Sequence, residues 1–353
     1  MESGKRGLLN GALVLVITAL TLFALLHGED PQLLYEAFVM ADDRYWIAAL
    51  GCVAVFVCSE SLILFLLLRN MGERVQPTHC LLYSAIGFFF SCITPAAGGG
   101  QPAQVYYMHR DGLNPGTTAP ILILVTICYK LVLVIAGIVL FFTRPVSLVL
   151  VDDSVIWWAA IGWIANVAVV SVFLVLLVRP SLAERLALGV FDRLAHSRLR
   201  QDKVERWRGK ATRAIARYRA AAHGMRRSRK LVLLVLGISI VQRTALFSVT
   251  LLVVRSLNIM NNASALHIIL LQSMVALGTD MIPLPGGSGA NESMFYLLFD
   301  GLCGETLVIP TLIASRGISY YGQILLCGTA FLLFRRVIGK AQKETAEQPL
   351  KED

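Results

Sequence analysis

Long stretches of apolar residues alternate along this chain with short polar segments, and the alternation runs from residue 8 to near the C-terminus. Leu8 to Leu26, Trp46 to Leu68, Ala119 to Phe142, Ile156 to Val178, Leu231 to Val254 and about Leu312 to Phe334 approach or exceed the roughly 20 apolar residues that cross about 30 Å of hydrocarbon. A helix pairs its own backbone groups, so runs of this length predict membrane-spanning helices. The expectation is an all-α integral membrane protein with about six full transmembrane helices.

Two shorter apolar runs, Leu81 to Ile93 and Ala265 to Leu277, each stop at a cluster of proline and glycine. Runs of 10 to 14 residues suit re-entrant segments better than full crossings. Loop charge points the same way. Arg69 and Arg74, the Arg179 to Lys230 linker, and Arg335, Arg336, Lys340 and Lys343 belong on the cytoplasmic side, since basic residues near span ends resist translocation. That parity makes Cys80 to Pro115 and Ala265 to Gly304 each leave on the side where it entered, the first from the cytoplasm and the second from outside. The expected fold is inverted-repeat-like, with two oppositely oriented re-entrant hairpins. If the hairpins span instead, the fold has eight transmembrane helices.

Composition narrows the picture further. The chain is 56% apolar with a mean hydropathy of +0.67. Its net charge of +9 gathers in the 179–230 linker rather than on a nucleic-acid-binding face. Leu182, Leu186, Val190 and Leu194, then Val204, Trp207, Ala211, Ile215 and Tyr218, recur at helical steps along that linker. Basic residues between them predict interfacial helices on an anionic leaflet, or a solvated positive-inside linker. Residues 1–340 form one polytopic domain and 341–353 a short tail; no cleavage site precedes Gly28, so Leu8 to Leu26 reads as a retained helix. Both termini are expected in the cytoplasm.

The 7 cysteines lie in or beside apolar segments without metal spacing and suit packing, and the 6 histidines are scattered with no metal motif. No metal or other cofactor is expected. Neither a GxSxG elbow nor a Walker loop nor a dinucleotide fingerprint is present.

Candidate chemistry concentrates at the two helix breaks. Thr94, Pro95, Gly99, Gly100, Gln101 and Gln104 lie in the first. Its glycines free the backbone and its prolines remove donors, so a restarting helix would aim free amides at an anion. Asp280, Pro285, Gly286, Gly287, Gly289, Asn291 and Glu292 form the second, where Glu292 could bind a headgroup or cap the next helix. Lys130, Arg243 and Arg316, the last near Tyr320, fall deep inside predicted spans, as does Glu60. Ionisable residues there cost a few kcal/mol or more if unpaired. The three cations suit a lipid phosphate; the alternative is internal pairing, for instance Glu60 with Lys130 or Asp280 with Arg243.

With these residues in view, the sequence resembles the transmembrane, flippase-like part of the lysylphosphatidylglycerol synthase/flippase family. The resemblance rests on "TPAAGGGQPAQVYYMHRDGL" (Thr94 to Leu113), "PLPGGSGANESMFYLLF" (Pro283 to Phe299) and "SRGISYY" (Ser315 to Tyr321). It implies a role in moving charged-headgroup lipids: aminoacyl-phosphatidylglycerol, another anionic phospholipid or an isoprenoid phosphate. It carries Pro95, Gly99, Gly100, Gln101, Pro285, Gly286, Gly287, Gly289, Glu292 and Arg316 over as site residues. Relatives often bear an acid where this chain has Gln101. The lysyltransferase of two-domain relatives is a soluble domain for which no room is expected after the last helix, so the expectation is not an enzyme.

The leading reading is therefore a lipid flippase of the cytoplasmic membrane. Its partners would be anionic phospholipids, and a second copy or a separate lipid-modifying enzyme, with no nucleic acid. An integral-membrane enzyme on lipid-linked substrates and a small-solute secondary transporter are the alternatives.

Overall fold

The computed structural model describes residues 31–143, 153–182, 184–185, 201–259 and 263–333. The expected helix Leu8 to Leu26, most of the first linker stripe, and the basic residues and tail after Phe334 lie outside them. The described residues are almost entirely helical.

After a short α1 (Pro31–Val39), α2 (Asp43–Asn70) starts at a cap where the Asp42 carboxylate accepts the Arg44 amide at 2.9 Å. Such a cap satisfies a donor that the first helical turn leaves unpaired. The long helices α2, α5 (Pro115–Thr143), α6 (Asp153–Val178) and α8 (Arg229–Ser256) are each long and apolar enough to cross a membrane. The outer faces of α6 and α8 carry exposed Trp157, Ile161, Ile164, Leu233 and Val241, as lipid contact requires.

Both shorter runs become helix, turn, helix. The first hairpin is α3 (Pro77–Ile93) and α4 (Gly100–Arg110); the second is α9 (Ala265–Thr279) and α10 (Ala290–Cys303). The last run begins earlier than its apolar stretch suggests. Helix α11 (Glu305–Arg316) places Glu305 in its first turn, where a carboxylate meets the positive helix end. It passes through a π turn at Gly317–Gly322 and continues over 323–333.

The architecture is a repeat. Helix α2, the first hairpin and α5 correspond to α8, the second hairpin and α11; the 190-residue offset from Pro95 to Pro285 also separates Pro115 from Glu305. The corresponding helices α2 and α8 pack antiparallel, with Asp42 N bonding Ser256 O at 3.0 Å near one end and Gln242 Nε2 reaching Phe56 O farther along. The two units are thus inverted relative to each other. Two main cores form among the described residues: one centres on Leu64, Leu67, Tyr83, Met108 and Ile121 of the first unit and takes in Val235 of α8, the other on Val253, Leu271, Phe295, Phe299 and Leu312 of the second and takes in Val53 and Leu133.

Helix α7 (Gln201–Arg227) uses the end of its apolar stripe against protein. Ala222 and Met225 are buried in the first core, and Tyr218 Oη donates to Leu176 O of α6 at 3.1 Å. A Cβ on Gly116 of α5 would stand 2.4 Å from Ala214 O, so that contact is backbone to backbone.

Candidate functional site

The two helix breaks touch. Pro95 and Pro285 form an isolated antiparallel bridge, and the turns around them share a backbone course. In the first, Ala96 and Ala97 adopt φ 50° and 53°; in the second, Gly286 and Gly287 adopt 60° and 64°. Ala97 N bonds Thr94 O and Gly98 N bonds Pro95 O, matched by Gly287 N to Leu284 O and Ser288 N to Pro285 O.

The turns are secured differently. Thr94 Oγ1 accepts from Gly99 N at 2.9 Å and donates to Phe90 O at 2.6 Å, closing the first turn with a neutral hydroxyl. Gly100 then begins α4 against α3, where a Cβ would lie 2.5 Å from Gly87 O. In the second turn Glu292 caps and pairs at once. Its Oε2 accepts Gly289 N at 2.6 Å, while Oε1 accepts from Arg316 Nε at 2.9 Å and lies 2.7 Å from Arg316 Nη2. Arg316 also donates to Gly286 O at 3.2 Å.

Tyr320, on the π turn, links both hairpins. Its hydroxyl donates to Cys92 O of the first at 2.9 Å. Its ring lies over Gly286 of the second, where a Cβ would stand 2.3 Å from the ring.

Between the hairpins and α2, α5 and α6 lies a cavity of about 480 Å³. Of the residues singled out from sequence, Gln101, Gln104, Lys130, Asp280, Gly286, Gly287, Asn291 and Tyr320 line it. Thr94, Pro95, Gly99, Gly100, Pro285, Gly289, Glu292 and Arg316 instead build the turns behind it. Gln101 hydrogen-bonds Thr126 of α5, and Asn291 Nδ2 donates to Thr279 Oγ1 at 3.2 Å. Gln104 Nε2 donates to Tyr83 O at 3.2 Å.

The deep charges resolve into pairs and a remainder. Lys130 Nζ donates to Asp280 Oδ2 at 2.5 Å and to Asn166 Oδ1 at 3.2 Å, tying α5, α9 and α6 together. Arg316 has Glu292. Neither of the alternative pairs, Glu60 with Lys130 or Asp280 with Arg243, forms, because Lys130 and Asp280 pair with each other. Arg243 is 4% exposed, and its Nε and Nη2 have no hydrogen-bond partner. Its guanidinium lies 3.2 Å from the ring centroid of Tyr129, a cavity-wall residue. Cation–π attraction offsets part of the lost hydration, but it supplies no acceptor for the N–H groups.

Sequence reading did not assign several wall residues to the site. Thr126 and Tyr129 precede Lys130 by four and one positions on α5, and Glu60, noted only as a deep charge, lines the cavity. Glu60 Oε2 accepts from Gln242 Nε2 at 3.0 Å. A Gln next to an Arg inside an apolar run was the available signal for Gln242.

Comparison with known proteins agrees with this organisation. A UPF0104 membrane protein from Archaeoglobus fulgidus is 26% identical over 290 residues, covering 80% of this chain and 84% of the relative. The lysylphosphatidylglycerol synthase TM region family matches residues 11–327, a span that includes both hairpins, the cavity and the Lys130, Arg243 and Arg316 helices. This chain therefore belongs to the lysylphosphatidylglycerol synthase TM region family and is a membrane protein.

Proposed function

We propose that this chain takes a lipid with an anionic headgroup into the cavity between its two hairpins and carries it between the leaflets of the cytoplasmic membrane. The observation that carries the reading is Arg243. Its guanidinium is buried beside the cavity with Nε and Nη2 unpaired, whereas Lys130 and Arg316 already have carboxylates. Leaving such donors unsatisfied in low dielectric costs several kcal/mol, and a phosphate offers the two acceptors a guanidinium fork matches. Thr126, Gln101 and Asn291 supply neutral polar groups nearby.

Paired broken helices of opposite orientation are the arrangement secondary transporters use at a central substrate site. The loop charges support hairpins that re-enter from opposite faces, with the basic linker and both termini in the cytoplasm. The family description, naming a phospholipid synthase, supports a lipid as cargo.

The test is transbilayer movement of fluorescent phosphatidylglycerol in reconstituted vesicles, read by dithionite quenching. Wild-type protein moves it faster than phosphatidylcholine, and Arg243→Gln slows it about tenfold or more while keeping its thermal stability. Equal rates for the two lipids, or for the two proteins, overturn the reading.

A further inference from the structure

Besides Arg243, one more buried charge in the described residues lacks an ion partner. Glu60 of α2 is 6% exposed and lines the cavity, yet no cation forms a salt bridge with it. Its hydrogen-bond partner is the neutral amide of Gln242, the residue next to Arg243 on α8. Arg243 is the charge that acts on Glu60 through space; Gln104 of α4 reaches it with an amide, and α5 faces the cavity with Tyr129 and with Lys130, which Asp280 of α9 holds. Gln323 closes the wall from the last helix.

A carboxylate and a guanidinium on adjacent antiparallel helices, balanced in charge but not bonded, form an open pair. An anion drawn to Arg243 removes the positive charge that offsets Glu60 and leaves two negative groups in a low-dielectric space. Like charges so placed cannot both stay ionised at ordinary cost. Gln242 is suited to either state of Glu60: its Nε2 now donates to the carboxylate, and its buried Oε1 has no partner. Turning the amide over presents Oε1 to a protonated carboxyl as acceptor.

The geometry points to Glu60 as a proton site coupled to anion binding: a phosphodiester monoanion enters at Arg243, and Glu60 takes up one proton from water. The balance is one negative charge and one proton in together, both released together. This inference rests on the anionic-headgroup reading given above. By linkage, one proton per anion makes binding about tenfold tighter for each pH unit lowered within the coupled range.

The experiment measures proton uptake in weakly buffered detergent micelles, with a pH-indicating dye, on adding dioctanoyl phosphatidylglycerol to the full chain. A parallel arm adds sodium sulfate. Neither probe titrates near neutrality, so any proton taken up belongs to the protein. Wild type is expected to take up about one proton per lipid bound; Glu60→Gln binds with none and with an affinity independent of pH, and Glu60→Asp restores uptake. Lipid binding without proton uptake, or uptake that persists in Glu60→Gln, overturns the inference and leaves the lipid reading standing. Proton-coupled binding of sulfate but not of phosphatidylglycerol keeps the proton site and overturns the lipid reading. Binding of neither probe overturns both.

Discussion

The two turns follow nearly the same backbone path with different means of support. The second uses glycine at the two matching left-handed positions, and again at Gly289, and is anchored by ion pairs, Arg316 with Glu292 and the half-buried Lys130 with Asp280. In the first, alanine stands at both left-handed positions, and Thr94, Gln101 and Gln104 support it through neutral hydrogen bonds. A left-handed alanine costs roughly 1–2 kcal/mol, so the first turn carries strain that the second does not. The contrast teaches that an inverted repeat conserves backbone course more strictly than chemistry. One turn is held by ion pairs over glycine, the other by neutral hydrogen bonds over strained alanine.

The largest effect should come from opening the charged turn. Arg316→Gln leaves Glu292 buried without its cation and is expected to lower stability by about 3–5 kcal/mol, read as an earlier thermal unfolding transition in detergent. Gly286→Ala should cost less, about 2 kcal/mol from its left-handed φ, plus whatever displacement of Tyr320 requires. Shortening Tyr320 to Ala in the same chain should recover the steric share but not the backbone share. Gln101→Ala removes one neutral hydrogen bond and should cost about 1 kcal/mol, mostly in local opening of α4 seen by hydrogen exchange. The smallest change has the opposite sign. Ala96→Gly should raise stability by up to about 1 kcal/mol; a loss of stability there would mean the first turn is not strained and would erase the contrast.

Much of this was legible in the sequence. Proline and glycine clusters mark both breaks, and loop-charge parity predicts hairpins of opposite orientation, in line with the inversion of α2 against α8. Which acid meets which cation was not legible. Lys130 and Asp280 are 150 residues apart and Tyr320 and Cys92 are 228 apart, so their contacts depend on how whole helices pack. The α7 stripe shows the same limit: spacing identifies an apolar face at Tyr218 but not whether lipid or α6 covers it. The early start of α11 is hidden in the sequence because Glu305 and Pro310 dilute the apolar signal that marks the rest of that helix.

The π turn at Gly317–Gly322 is an α-helix carrying one residue more than its turn should hold. Each residue rotates a helix by about 100°. That surplus residue therefore acts as a phase adjustment: it lets Arg316 face the second turn and Tyr320 reach the first while residues 323–333 still present Gln323 to the cavity. Deleting one residue there would leave a better helix and aim everything beyond it at the wrong neighbours.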